Sequence, residues 1–231
     1  MAVLLINADI KLDILLSDAE MAHTGGPIPV TGSQLYELFY GRESLNCKLF
    51  MLINHASLPF LDAVMPAFTF LSGSKIFPYY CALLLALFLI DRRLMPGRYL
   101  FVFLVASFIS LGVESFLKEF FHVPRPPFAL GAGNVRILGK VSSSYSLPSG
   151  HAVFSFMTAF TLTYGRGLSC KILIFFWALL VGYSRIYLGD HYPFDVLAGA
   201  LVGVTIGLTA WKCFASIEVW YGRLKRKRGA V

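Results

Sequence analysis

Residues Ile172–Leu208 read ILIFFWALLVGYSRIYLGDHYPFDVLAGALVGVTIGL. Two apolar runs, Ile172–Leu188 and Phe194–Phe214, flank five residues that hold Asp190 and His191, and Arg185 and Asp195 lie just inside the run ends. A helix crosses a bilayer with about 20 apolar residues, and about 17 suffice. The stretch therefore reads as two crossing helices joined at one membrane face by a short charged connection. A membrane-spanning backbone must satisfy its own hydrogen bonds. The expected fold is all-α: a polytopic transmembrane helical bundle.

The bulk composition agrees. The 231 residues are 57% hydrophobic and only 14% charged, against about 25% charged in soluble domains. Mean hydropathy is +0.68. The formal net charge of +7 would suit nucleic acid, but the basic residues gather in short segments between or after apolar runs. That distribution reads as membrane topology and excludes a nucleic-acid partner. Cys47, Cys81, Cys170 and Cys213 form no CxxC pair and read as small hydrophobes. The start, MAVLLINADIKLD, has no basic lead and too short an apolar core for a signal peptide.

Further apolar runs lie upstream at Ile76–Ile90, Tyr99–Phe121 and Ala152–Gly165. The last reaches spanning length only if its polar start is included. Residues 44–72 mix apolar and polar groups, with Pro59 and Pro66 inside, and read as interfacial helices or one weak span. The expectation is five to six spans with interfacial helices. It divides into a polar N-terminal segment (1–43), interfacial helices or a weak first span (44–75), a catalytic core (76–216) and a basic tail (217–231). If the spans alternate, Arg92, Arg93 and Arg98, then Arg166 and Lys171, then the tail RLKRKR (223–228) fall on one side. By the excess of Lys and Arg, that side is cytoplasmic.

Three stretches then meet on the opposite, outer side: KEFFHVPRP (118–126), PSGH (148–151) and SRIYLGDHYPFD (184–195). Singly, each has an ordinary explanation. Lys118 snorkels and pairs with Glu114 one turn earlier. Arg125 sits in a surface turn, and His151, His122 and His55 are interfacial. Asp190 is solvated, and Arg136 and Lys140 in the loop 127–146 either hold a second phosphate of the headgroup or, the favoured reading, are solvated. Together, Lys118, Arg125 and Arg185 with two histidines, a carboxylate and a glycine-opened helix start describe a phosphate site. Arginine forks match phosphate oxygens. The N–H groups of Ser149, Gly150 and His151 begin a helix, where anions are favoured. Of two histidines, one attacks phosphorus and the other donates a proton to the departing oxygen. A carboxylate four residues from His191 suits the orienting role. The cations leave no need for a metal, and no outer carboxylate cluster suits magnesium. No cofactor is expected.

The three motifs resemble the type 2 phosphatidic acid phosphatase superfamily: Lys118 and, after six residues, Arg125-Pro126; Pro148-Ser149-Gly150-His151; and Ser184-Arg185, five residues, His191, three residues, Asp195. The resemblance covers about Lys118 to Asp195. It implies that His191 is the nucleophile, Asp195 its orienting partner and His151 the acid. It also implies that Lys118, Arg125, Ser149, Gly150 and Arg185 bind the phosphoryl group. The expected activity is metal-independent hydrolysis of a lipid phosphate or diphosphate at the outer leaflet of a bacterial inner membrane. Undecaprenyl diphosphate is the favoured substrate; phosphatidylglycerophosphate, phosphatidic acid and lipid A are rivals. The same residues would serve a lipid phosphotransferase. A transporter would instead carry charge through the depth of several spans.

Overall fold

A computed structural model describes residues 34–73, 76–142 and 144–228. The loop expected at His23–Gly32 lies outside the described residues. Among them the chain is helical, without strands: α1 Gln34–Tyr40, α2 Leu45–Asn54, α3 Pro59–Phe70, α4 Phe77–Ile90, α5 Gly97–Phe121, α6 Pro126–Leu130, α7 Gly150–Thr163, α8 Leu168–Tyr187 and α9 Pro193–Arg228. Prolines open α3, α6 and α9, where the missing N–H costs nothing. Helix α5 stops at His122, whose backbone is left-handed (φ 50°), and Pro124 two residues on cannot resume it. Helix α9 runs without interruption past residue 217, so no structural break separates core from basic tail.

Helix α7 is the centre of the bundle and packs against α5, α8 and α9. Val102, Phe103 and Ala106 of α5, Val153 and Met157 of α7, and Ala210 and Trp211 of α9 form the main apolar cluster. The α7–α9 contact is made backbone to backbone. A Cβ on Gly199 would lie 2.9 Å from Ala152 Cβ, and one on Gly203 would overlap the Val153 carbonyl. Small residues at four-residue spacing allow this approach. The contact is pinned at the two helix starts by Ser149 N–H donating to the Asp195 carbonyl (3.0 Å). Trp211 Nε1 donating to the Thr161 carbonyl (3.0 Å) pins the far end.

Among the described residues, three segments are long and apolar enough to cross a membrane: Gly97–Leu130, Leu168–Tyr187 and Pro193–Arg223. There are four if the pair Gln34–Asn54 and Pro59–Phe70, bent by 115°, counts as one. The sequence expectation of five to six differs because α4 and α7 have 14 residues each. At about 1.5 Å per residue they extend roughly 21 Å, short of a core about 30 Å thick. The polar stretch before residue 150 adds no helical length to α7. Phe108, Leu173, Phe176 and Leu201 point outward from α5, α8 and α9, as lipid-facing residues do. The two basic loops meet at one end of the bundle, where Arg166 Nη2 donates to the Leu94 carbonyl (2.9 Å). The end of α5 and the starts of α7 and α9 form the other end.

Candidate active site

The last turns of α5 present Glu114 and Lys118, which pair at 2.8 Å as the sequence suggested. Beyond the break at His122, Arg125 is buried at 3% exposure. Its Nε and Nη2 donate to the Ser144 carbonyl (2.7 Å) and hydroxyl (3.0 Å). Its Nη1 lies 3.0 Å from His191 Nε2. The loop that carries Ser144 is clamped by Asn54, whose side chain donates to the Arg136 carbonyl (2.8 Å) and accepts from the Arg136 N–H (2.8 Å). Arg136 is not a solvated loop residue. Its guanidinium pairs with Asp62 (2.9 Å) and lies over the Tyr187 ring, so the loop is tied to α3 and α8. Lys140 is exposed.

Helix α7 opens at Gly150, and its first intrahelical bond runs from Val153 N–H to the Ser149 carbonyl. The N–H groups at 150 to 152 therefore precede the helical ladder. The Ser149 N–H is already committed to Asp195, and the buried Ser149 hydroxyl has no partner among the described residues. A Cβ on Gly150 would overlap the Glu114 carboxylate, so a side chain here would displace Glu114 from its place beside the start of α7.

At the end of α8, Arg185 Nη1 donates to Thr69 Oγ1 (3.1 Å) of α3. The turn after it closes on the Arg185 carbonyl, which accepts from Asp190 and His191 N–H (3.1 and 3.2 Å). Gly189 permits the turn with φ +87°. Asp190, expected to be solvated, is 3% exposed. Its Oδ2 contacts Arg185 Nη2 and lies 2.8 Å from Arg125 Nη1. Two buried guanidiniums demand a counter-charge, which draws this carboxylate inward.

His191 is 1% exposed, and its two nitrogens face different partners. Nδ1 lies 3.6 Å from Asp195 Oδ2 and 3.3 Å from Ser146 Oγ. Ser146 Oγ donates to the same Asp195 oxygen (2.5 Å), bridging the pair. Asp195 also accepts from Tyr192 N–H (2.9 Å) and from Tyr40 Oη (2.8 Å). On the other edge, Arg125 can only donate, so Nε2 accepts and the ring proton sits on Nδ1. Burial, with the Arg125 and Arg185 guanidiniums beside it, pushes the imidazole well below the ordinary histidine value of 6.5. The result is a neutral histidine with a lone pair on Nε2 and an oriented N–H behind it.

Lys118, Arg125, Gly150, His151, Arg185 and His191 line one cavity of about 330 Å³. Asp195 and Ser149 stand behind its wall. The three sequence-distant motifs are thus one site, and Asp190 shares its lining. Among the described residues, no group of three or more His, Cys, Asp or Glu side chains forms a metal-binding set. His122 and His55 stay apart from the cavity: the first meets the Tyr145 ring edge to face, and the second meets the Asn134 carbonyl. Sequence reading missed Tyr40, Thr69, Ser144 and Ser146. Only Ser146 and Ser144 stand close to a motif; Tyr40 is 155 residues from its partner and carries no local signal.

The PAP2 superfamily model matches residues 97–218. The chain is 33% identical to an undecaprenyl-diphosphatase of Sulfolobus acidocaldarius, over 75% of this chain and 78% of that one. It is 32% identical to a lipid A 4'-phosphatase of Bacteroides thetaiotaomicron, over 72% and 74%. The crystal structure of Aquifex aeolicus LpxE superposes with a TM-score of 0.60 at 34% identity, covering 73% of this chain and 96% of that one. A Bacillus subtilis phosphatidylglycerolphosphate phosphatase of PAP2 type shares the fold, with a TM-score of 0.63 at 23% identity over 91% and 96%. The chain belongs to the PAP2 superfamily.

Proposed function

We propose that this protein is an integral-membrane lipid phosphatase that works through a phosphohistidine on His191. The observation that carries the reading is the asymmetry of that imidazole. Nδ1 is backed by Asp195 and Ser146, while Nε2 meets Arg125 in a cavity that Lys118, His151 and Arg185 also line.

Substrate enters with its phosphoryl group against Lys118, Arg125, Arg185 and the backbone at Gly150. The His191 Nε2 lone pair attacks phosphorus, the Nε2–P bond forms, and the P–O bond to the lipid breaks. His151 gives its proton to the leaving oxygen. The resulting imidazolium-like Nδ1–H is stabilised by Asp195. Water then gives a proton to His151 and attacks phosphorus, the P–N bond breaks, and inorganic phosphate leaves. Ser149 contributes through its place at the helix start. Arginine and lysine neutralise the charge that develops on the transferring group.

The favoured substrate is a polyprenyl diphosphate of the undecaprenyl type. The Sulfolobus relative's name supports this, as do undecaprenyl-diphosphatases named in Bacillus subtilis and, putatively, Escherichia coli. The lipid A 4'-phosphatase relative supports lipid A as the main rival. The tail lies among membrane lipids. Helices α4 and α7 complete their crossings with flanking residues, which makes five spans, and α1–α3 form a bent interfacial unit over the site. The core occupies 76–216. The grouping of Arg92, Arg93, Arg98, Arg166, Lys171 and the tail at one end supports a cytoplasmic tail and a site open to the outer leaflet of a bacterial inner membrane.

The test is phosphate release by purified protein in detergent with EDTA, from undecaprenyl diphosphate, lipid A, phosphatidylglycerophosphate and phosphatidic acid. Release is expected to survive EDTA, to stop with orthovanadate and to vanish in His191→Ala with the fold retained. If that variant released phosphate at the parent rate, His191 would not be the nucleophile. Adding an alcohol-bearing lipid separates hydrolysis from transfer by the product formed.

A further inference from the structure

We propose that Asp190 is the resident anion of the phosphate site: its carboxylate holds the position of a phosphoryl oxygen when the site is empty, and substrate must displace it. This rests on reading the cavity as a phosphoryl-transfer site. The position is the argument. Asp190 Oδ2 contacts Arg185 Nη2, lies 2.8 Å from Arg125 Nη1, and is 3.9 Å from His191 Nε2. An oxygen on a phosphorus about to be attacked by Nε2 has to sit in that region, between the same two guanidiniums. Two anions cannot share it, because like charges at about 4 Å repel strongly where water is scarce.

The way Asp190 is held fits an occupant that leaves. Neither carboxylate oxygen makes a directed hydrogen bond, and it is retained by charge alone. By contrast, Asp195 is fixed by three donors. The Arg185 Nε, in a side chain 8% exposed, also lacks an acceptor. That buried unpartnered donor beside the carboxylate is what a phosphate would satisfy with a second oxygen. One of the two guanidinium charges is thus offset in the empty site, and it becomes available when phosphate arrives. At the end of turnover, the returning carboxylate competes with inorganic phosphate and drives it out. Asp190 sets affinity for substrate and product rather than taking part in bond making.

The experiment compares the parent with Asp190→Asn and Asp190→Ala. Inhibition by inorganic phosphate and by orthovanadate is measured on lipid phosphate hydrolysis. Thermal unfolding is followed with and without phosphate. Removing the charge should tighten inhibition by both oxyanions about tenfold or more, since one close charge contact exceeds that factor at protein dielectric. KM should fall, and kcat should fall with it if phosphate release limits turnover. Without phosphate both variants should unfold at a lower temperature than the parent, because two buried guanidiniums lose their counter-charge. Phosphate should raise their unfolding temperature more than the parent's. Unchanged or weaker oxyanion inhibition would overturn the proposal, and so would a variant whose folding phosphate does not restore. A parent that hydrolyses no lipid phosphate would defeat the functional reading alone, since the phosphate-dependent unfolding shift still judges Asp190.

Discussion

His191 is neutral and aimed because its two edges are treated differently, and both consequences can be measured. Attack needs an unprotonated Nε2. With the imidazole held well below 6.5 by burial and two arginines, protonation removes the nucleophile only at more acid pH. The nucleophile limb of the kcat/KM profile is therefore expected to lie below pH 6.5. A limb centred at or above 6.5 would mean that His191 is not desolvated in this way. Asp195 behind it is gripped from three directions, one of them Tyr40 Oη at 2.8 Å. Hydrogen bonds to a charged group contribute about 1.5–3 kcal/mol. Tyr40→Phe should therefore lower kcat by roughly 10- to 100-fold with KM nearly unchanged. Equal activity would make Tyr40 a packing residue only. At this scale the sequence revealed every motif side chain by type and spacing. It hid Tyr40, and it misjudged Asp190 and Arg136, because a residue's partner across the fold leaves no trace in its own neighbourhood.

The helices fix these atoms through two contacts of different kinds. The α7–α9 contact is steric, built on Gly199 and Gly203 facing Ala152 and the Val153 carbonyl. A larger side chain there must push α7, and with it His151, away from His191. Gly203→Leu is expected to cost about 1–3 kcal/mol of stability, as overpacking does, and to lower kcat beyond what the loss of folded protein explains. Thermal unfolding in detergent and specific activity per folded molecule separate the two effects. The α3–α8 contact, apolar at Met65 and Tyr187, also carries a polar link: Thr69 Oγ1 meets Ser184 Oγ (2.7 Å) and accepts from Arg185 (3.1 Å). Thr69→Val keeps the shape and removes both bonds. It should raise KM by several-fold, about 1 kcal/mol of lost positioning, with little change in unfolding temperature; an unchanged KM would show that Arg185 is held without α3. Helix existence was legible from apolar runs: α5 and α8 matched them within a few residues, and α9 starts at its run but continues 14 residues past Phe214. The crossing count was not, because the runs Ile76–Ile90 and Ala152–Gly165 lie near the spanning threshold, and in the fold α4 and α7 stay at 14 residues each.

Across the whole molecule, charge and chemistry lie at opposite ends. The basic loops join at Arg166 and Leu94, and the cavity opens where α5 ends and α7 and α9 begin. In sealed proteoliposomes of uniform orientation, protease that trims the basic tail should attack from one side only. An impermeant substrate analogue should be hydrolysed from the other side only. Tail cleavage and hydrolysis from the same side would refute the arrangement. The sequence by itself determined that the chain is a membrane helical bundle and which motif side chains are candidates for the chemistry. Composition and run length act locally, and the three motifs are each contiguous. Only the tertiary structure decided that those motifs meet at one cavity, that Tyr40 and Ser146 hydrogen-bond the Asp195 carboxylate, and that Asp190 lies between the arginines. These relations depend on how closely α3, α7, α8 and α9 approach one another. Buried charge must find its counter-charge wherever packing brings one within reach, however far away it stands along the chain.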